Sequence, residues 1–394
     1  MKVLYIQHVG IMGGSGRSLF EMIMSFPKGT IKPHVICPEG LLSNAFSKEK
    51  IPVMNSRGLS NFNNTSYGYY RSWRWLILIR EIAYILPSIY IVLKSRLKWG
   101  RFDIIHLNEV TMPLLVIMIK CFFWKTPVIV HARATQRKVK NVRSLILSII
   151  NRIFVNRVIS INQTVANSFP FGTRTDIVHN GMVPPINKKL KIKKNKCLTI
   201  GMVGLLNKSK GCEDFIEAAK ICKIQGFDFQ FYFIGGGSRK VNRFYDFFLD
   251  KFKLNQNLET KLRDQVFIYN LQDTVKFLPF ERSLNAIYEK LDLVCFPTLD
   301  PAPGRPIFEA GFFSVPAIAC IDDPIDDTFV QGVTGLNNRP GDPASIAKDI
   351  IFLNSNPDIL AKMGRAAKNL SVRNFNSLAN GKKIIAIYKE ELGI

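Results

Sequence analysis

At 394 residues, with 47% apolar and 21% charged, the chain is neither disordered nor confined to one ordinary core, and two domains of roughly 150–200 residues are expected. A net charge of +24 favours an anionic partner. Nucleic acid is set aside: no zinc-finger spacing, RNP-type aromatic motif or heptad-plus-basic arrangement occurs, and the Lys and Arg are interspersed with Ile, Leu, Trp and Tyr, a mixture that suits an anionic lipid surface.

Apolar β-type runs alternate with longer helical stretches from end to end, the α/β pattern of doubly wound parallel sheets. In the first half the expected strands are Val3–Gln7, His34–Cys37, Ile104–Leu107, Val128–His131, Arg157–Ile161 and Ile177–His179. The expected helices are Ser18–Ser25, the region 71–99, Leu114–Phe123 and Ser144–Phe154. The chain opens on a strand and not on a secretory signal, and its seven cysteines form no Cys-x-x-Cys pair, so a reducing, cytoplasmic setting is expected.

Gly10-Ile-Met-Gly-Gly-Ser-Gly-Arg17 follows the first strand, and its glycines let the backbone turn tightly and approach a ligand. It departs from a dinucleotide-binding loop because Leu19 stands where a third glycine belongs. Trp75–Leu93 has about the length of a membrane span but contains Arg80, Glu81 and Pro87. A core helix pair, a helix lying on a membrane surface and a true span all stay open. His106, Asn108 and His131 end two neighbouring strands. No third ligand accompanies the histidines at metal-binding spacing, and Asp322-Asp-Pro-Ile-Asp-Asp327 reads as a solvated turn, so no metal is assigned.

His179-Asn-Gly181, Pro184-Pro185 and the basic run 187–196 mark a boundary. A fresh sheet follows, with strands Leu198–Val203, Phe229–Ile234, Val275–Leu278, Leu293–Phe296 and Ala317–Cys320. After its first strand comes Gly201-Met-Val-Gly-Leu-Leu-Asn-Lys-Ser-Lys-Gly211, ahead of a helix near Cys212–Ile224. A lysine there is a natural diphosphate partner, Lys210 first and Lys208 as substitute. Gly235-Gly-Gly-Ser238 would let a base or ribose come close, or simply ends its strand.

The stretch Pro297–Ala310, PTLDPAPGRPIFEA, joins a buried strand to a helix amino terminus, where unpaired N–H groups and the helix dipole receive phosphate. Pro306 suits the first helical position, and Glu309, one turn in, would accept hydrogen bonds from ribose hydroxyls. The dipole alone also selects acidic residues in a first turn. Two sheets of this kind place their strand ends around a central cleft, where open α/β sheets bind ligands.

In this order and spacing, GGSGRS, DIIHLNE (103–109), VIVHAR (128–133), IVHNG (177–181), IGMVGLLNKSKG (200–211), FYFIGGG (231–237) and LDLVCFPTLDPAPGRPIFEAGFFSVPAIA (291–319) resemble glycosyltransferase family 4. VTGL (333–336) and PGD (340–342) extend the resemblance over nearly the whole chain. It implies two Rossmann-like doubly wound parallel-sheet domains facing a central cleft (the GT-B fold). Residues 1–184 would bind the acceptor and face a membrane, 185–372 would bind the nucleotide sugar, and 373–394 would form a helix crossing back.

The resemblance further implies Lys210, Arg305, Glu309, His106 and His131 as the catalytic set. The donor would lie against Gly13, Gly14, Gly204, Lys208, Gly235 and Gly236. Phe280, Asp300, Gly304, Ile307 and Phe308 would complete that site, with Arg17, Asn108 and Arg133 meeting the acceptor. No cofactor or metal is implied, and the donor would be a UDP-sugar ahead of a GDP-sugar. The expected partners are a glycan or lipid-linked acceptor and an anionic membrane surface, on the inner face of the cytoplasmic membrane. Two departures stand out: Leu205 replaces the family's usual Arg, and Pro301 replaces the first of its paired glutamates. They keep open a catalytically degenerate binding partner, alongside a nucleotide-sugar epimerase of the same fold.

Overall fold

A computed structural model describes residues 1–63, 65, 76–136, 142–170, 172–185, 197–235, 258–279, 281, 283–299, 304–322 and 324–394. The chain divides into two compact units, Met1–Val183 with Phe375–Ile394, and Pro184–Asn374.

In the first unit lie β1 (Lys2–Ile6), β2 (Lys32–Pro38), β3 (Val53–Ser56), β4 (Ile104–Leu107), β5 (Val128–Ala132), β6 (Arg157–Ser160) and β7 (Thr175–Ile177). They form one parallel sheet in the order β3-β2-β1-β4-β5-β6-β7. The central strands are apolar without alternation: β4 reads Ile-Ile-His-Leu and β5 Val-Ile-Val-His-Ala, buried throughout, because helices cover both faces. On one face Tyr5 and Val35 pack with Leu19 and with Ile384 and Tyr388 of the C-terminal helix Ser377–Leu392; on the other, Leu4 and Ile105 pack with Val92, Val116 and Ile150.

That C-terminal helix is held by charge as well as packing. Buried Arg157 pairs with Asp176 at 3.0 Å, Glu390 at 2.6 Å and Glu391 at 3.0 Å, and Arg174 reaches both glutamates. Met182 N donates to the Phe375 carbonyl at 3.0 Å, and a Cβ on Gly181 would lie 2.6 Å from Ser377 Cα. The expected strand Ile177–His179 is observed two residues earlier, as β7.

The region 76–99 forms two helices, Leu76–Ala83 and Ile85–Trp99, and residues 71–75 lie outside those described. Pro87 falls in the first turn of the second helix, where an N–H has no intrahelical partner to lose. Among the described residues no helix is long and apolar enough to cross a membrane. Glu81 is buried and accepts from Asn61 N at 2.6 Å, with Arg80 paired to its other oxygen.

The second unit contains β8 (Thr199–Val203), β9 (Gln230–Ile234), β10 (Val275–Leu278), β11 (Leu293–Phe296), β12 (Ala317–Cys320) and β13 (Gly335–Asn338). They pair in parallel in the order β10-β9-β8-β11-β12-β13. The edge strands β3 and β13 and the helix Leu41–Lys48 were not anticipated, since strands of four residues carrying Asn or Ser show little apolar pattern.

Candidate functional site

In the second sheet the strand order reverses between β8 and β11, the place where such sheets take ligands at their carboxyl ends. The loop leaving β8 carries Gly204 at φ +139°, a 3-10 turn Lys208–Lys210, and Gly211 at φ +69° starting the helix Cys212–Ile224. This loop is stitched to the one leaving β11: Leu299 N donates to Ser209 O at 2.8 Å, and Thr298 Oγ1 donates to the same carbonyl at 3.3 Å. A Cβ on Gly211 would lie 1.7 Å from Pro297 O, so only glycine permits the approach.

Phe296, the last residue of β11, is the floor on which Lys210 and Gly304 meet. Lys210 Nζ lies 5.4 Å from its ring centroid, and a Cβ on Gly304 would lie 2.5 Å from its Cζ. Gly304 precedes the helix Arg305–Phe312, which no side chain caps among the described residues. The helix starts one residue earlier than expected, so Pro306 occupies its second position, where a missing N–H is equally harmless.

Arg305 Nε donates to Glu309 Oε1 at 2.9 Å, and Tyr288 Oη donates to Glu309 Oε2 at 2.9 Å. Glu309 is thus buried, with a cation on one oxygen and a phenol on the other. A Cβ on Gly311 would lie 2.2 Å from Ser371 Oγ, so its absence lets the helix Pro357–Asn374 pack closely behind. The side chains of Ile307 and Phe308 are buried, which leaves only their backbone for a donor. Gly235, at φ +109°, sits beside Gly204, whose carbonyl would be 3.0 Å from an added Cβ. Lys208 and Leu205 are exposed on the β8 loop. Gly236, Phe280, Asp300 and Pro301 lie outside the described residues.

In the first unit the corresponding reversal falls between β1 and β4. Gly10 and Gly16 are demanded by packing: added Cβ atoms would lie 2.5 Å from Pro38 O and 2.4 Å from Ile11 O. Gly14 meets nothing within 4 Å and Gly13 only the Ile11 side chain, so both leave room. Arg17 pairs with Glu21 at 2.9 Å. Asn108 Nδ2 donates to Gln7 Oε1 and to Ser15 O, and its Oδ1 accepts from Arg133 Nε at 2.8 Å and Nη2 at 2.7 Å. Arg133 also donates to Asn180 Oδ1. One polar network therefore ties the glycine loop to the ends of β1, β4 and β5. A cavity of about 20 Å³ against His131, Arg133, Asn180 and Ser377 has room for about one water, too little for a sugar.

His106 and His131 lie in the core, their rings 5.4 Å apart, and His106 Nδ1 is hydrogen-bonded to Tyr388 Oη at 2.7 Å. Burial, reinforced by Arg133, pushes His106 down to about 3 and His131 well below its ordinary range. Both are neutral, and neither reaches solvent. Burial raises Glu109 to about 7 against the opposing effect of Arg133. Sequence reasoning passed over Glu109, Tyr288 and Phe296. A final strand residue before a phosphate loop was the available signal for Phe296, and Tyr288 had none.

These titrations set an acid limit. A depressed imidazole stabilises the fold fully above about pH 6.5 and loses that contribution as pH falls toward its folded value, about 2 kcal/mol for His106 by about pH 5, with His131 changing in the same direction. Glu109 works oppositely: its contribution is present below about 4.5 and lost as pH rises through about 7, so it offsets part of the acid loss. Denaturant unfolding followed from pH 7 to 5 is expected to show falling stability, and a steeper fall in Glu109→Gln. A flat profile in the parent would contradict the buried neutral pair.

Residues 184–370 match the family model described as glycosyl transferases group 1. The capsular polysaccharide biosynthesis glycosyltransferase CapM of Staphylococcus aureus is 27% identical over 206 residues, so the match spans 51% of this chain and about half, 50%, of that relative. Anabaena Alr3699/HepE, solved in complex with UDP, covers 99% of this chain and 100% of its own at TM-score 0.76 and 18% identity. The lipopolysaccharide outer core galactosyltransferase WaaB aligns at TM-score 0.69 and 15% identity, over 99% of this chain and 100% of its own. At these identities the structures establish the fold: two separate Rossmann-like lobes, each with a parallel sheet.

Proposed function

We propose, for a chain whose residues 184–370 match the model of the group 1 glycosyl transferases, a retaining transfer of sugar from a nucleotide-sugar donor to a hydroxyl of a glycan or lipid-linked saccharide in bacterial surface polysaccharide or glycolipid synthesis. The observation that carries this is that Lys210 and Gly304 meet at Phe296, with Arg305 and its partner Glu309 in the helix that Gly304 opens, at the strand reversal of the second sheet.

The donor diphosphate seats on the β8 loop and on the start of the helix Arg305–Phe312, where backbone N–H groups and the helix dipole favour negative charge. Glu309 accepts from ribose hydroxyls. Gly13 and Gly14 leave space beside the first unit's own network, through which Arg17, Asn108 and Arg133 meet the acceptor at the ends of β1, β4 and β5. His106 and His131 lie beneath that network as positioning residues.

In the transfer, the acceptor oxygen bonds to the anomeric carbon as the bond to the diphosphate breaks. The electron pair stays with the diphosphate, whose oxygen takes the acceptor proton. The protein's part is positioning, together with cationic stabilisation of the leaving group by Lys210 and Arg305. The enzyme works without a metal, at the anionic inner face of the cytoplasmic membrane.

A thermal-shift panel tests the donor site. At about a hundredfold its dissociation constant a UDP-sugar is expected to stabilise by about 2.7 kcal/mol, with GDP- and dTDP-sugars weaker. No shift with any nucleotide sugar would remove the reading. Binding without transfer to any acceptor would instead favour a degenerate binding partner, which the exposed Leu205 motivates.

A further inference from the structure

One face of the first sheet is covered by the helices Ile85–Trp99, Pro113–Phe122 and Val142–Phe154, whose inner side chains share a core with Leu4, Ile6 and Leu107, and the helix Leu76–Ala83 leads into the first of these. Their outer side is apolar as well. Leu86, Tyr90 and Leu97 are exposed, the last by 88%, and recur at intervals of four and seven residues, which makes one stripe along a helix. Leu145, Ile149 and Ile153 form a second exposed stripe, and Trp124 stands 72% exposed just beyond the Pro113–Phe122 helix.

Cations border this surface. Lys94 Nζ lies 5.6 Å from the Tyr90 ring centroid and Lys125 Nζ lies 4.9 Å from that of Trp124. Arg80, Lys98 and Arg152 are exposed on the same helices, whereas Glu81, the one acidic residue in their sequences, is buried. Extended apolar surface on a folded unit marks an interaction site. Aromatic rings bordered by Lys and Arg suit the headgroup level of a bilayer, with the apolar stripes reaching toward its acyl chains.

We infer that this helical layer is the face by which the protein lies on an anionic membrane, with Leu86, Leu97, Ile149 and Ile153 entering the headgroup–acyl boundary. A second copy fits less well, because apposing two such faces would set Lys94, Lys98 and Lys125 against like charges. The inference deepens the proposed function, resting on it only for the acceptor that draws the enzyme to lipid.

Flotation of the purified full chain with phosphatidylcholine vesicles, with and without phosphatidylglycerol, tests it. Binding is expected to be about tenfold or more tighter to the anionic vesicles and to weaken with salt. The triple variant Leu86→Glu/Leu97→Glu/Ile153→Glu and, separately, Lys94→Glu/Lys98→Glu/Lys125→Glu are each expected to lose about tenfold or more of that affinity. Ile224→Glu/Phe267→Glu, on exposed positions of the second unit, is expected to bind like the parent.

No vesicle binding at low salt, or equal binding by the parent and both triple variants, overturns the inference. So does a concentration-dependent dimer that Leu86→Glu/Leu97→Glu/Ile153→Glu abolishes, since a second copy would then cover the face. The donor and membrane readings separate cleanly: a UDP-sugar shift without vesicle binding sinks only the membrane face, and vesicle binding without the shift sinks only the donor site.

Discussion

Lys210→Ala is expected to lower sugar-transfer turnover by about 10²–10³-fold, the usual effect of deleting one donor that stabilises developing negative charge. The turn holding Lys210 has a defined geometry. The Asn207 side chain accepts from Ser209 N, Gly211 closes the turn in the left-handed region, and the Lys210 Nζ lies over the Phe296 ring. Little folding stability should depend on the side chain, because it is partly exposed at the surface of a loop. The loss should therefore appear in kcat with thermal stability near the parent's. Steady-state kinetics with the preferred nucleotide sugar decide it, and turnover within about twofold of the parent would place Lys210 outside the site.

Gly211→Ala is expected to be far more disruptive to the fold, by about 2–5 kcal/mol, from left-handed backbone strain and from overpacking. The residue sits at φ +69°, and its new Cβ would be driven to within 1.7 Å of Pro297 O. Relief requires the β8 and β11 loops to separate, breaking the Leu299–Ser209 bond that joins them. Chemical denaturation should report the lost stability. Where the variant still folds, its UDP-sugar stabilisation should shrink too, because Lys210 moves with the loop. Parent-like stability would show that the two loops are not locked together as described.

Much of the proposed donor site rests on local signals in the chain. Glycine-rich segments after apolar strands, a lysine before a helix, and Gly304-Arg305-Pro306 opening another helix are all signals contained within a dozen residues. The long-range partners were not legible. Glu309 is bonded by Tyr288, which precedes it by 21 residues in a short helix with no distinguishing pattern. His106 is met by Tyr388, 282 residues away. The histidines also show how a correct position can mislead: ending a strand suggested exposure, whereas β4 and β5 are the middle of a seven-stranded sheet and the C-terminal helix lies against them.

What the amino-acid order determined by itself was the backbone: parallel strands, the turns that need glycine, and helix starts suited to anions. Such preferences act within a few residues, through sterics and through N–H groups that lack partners. Only tertiary packing decided which side chains became buried, neutral or paired. Desolvation of His106 and Glu109, the Arg305–Glu309–Tyr288 contacts and the Arg157 ion pairs all depend on groups brought together from distant parts of the chain. Their strength comes from the exclusion of water, which no single segment achieves alone.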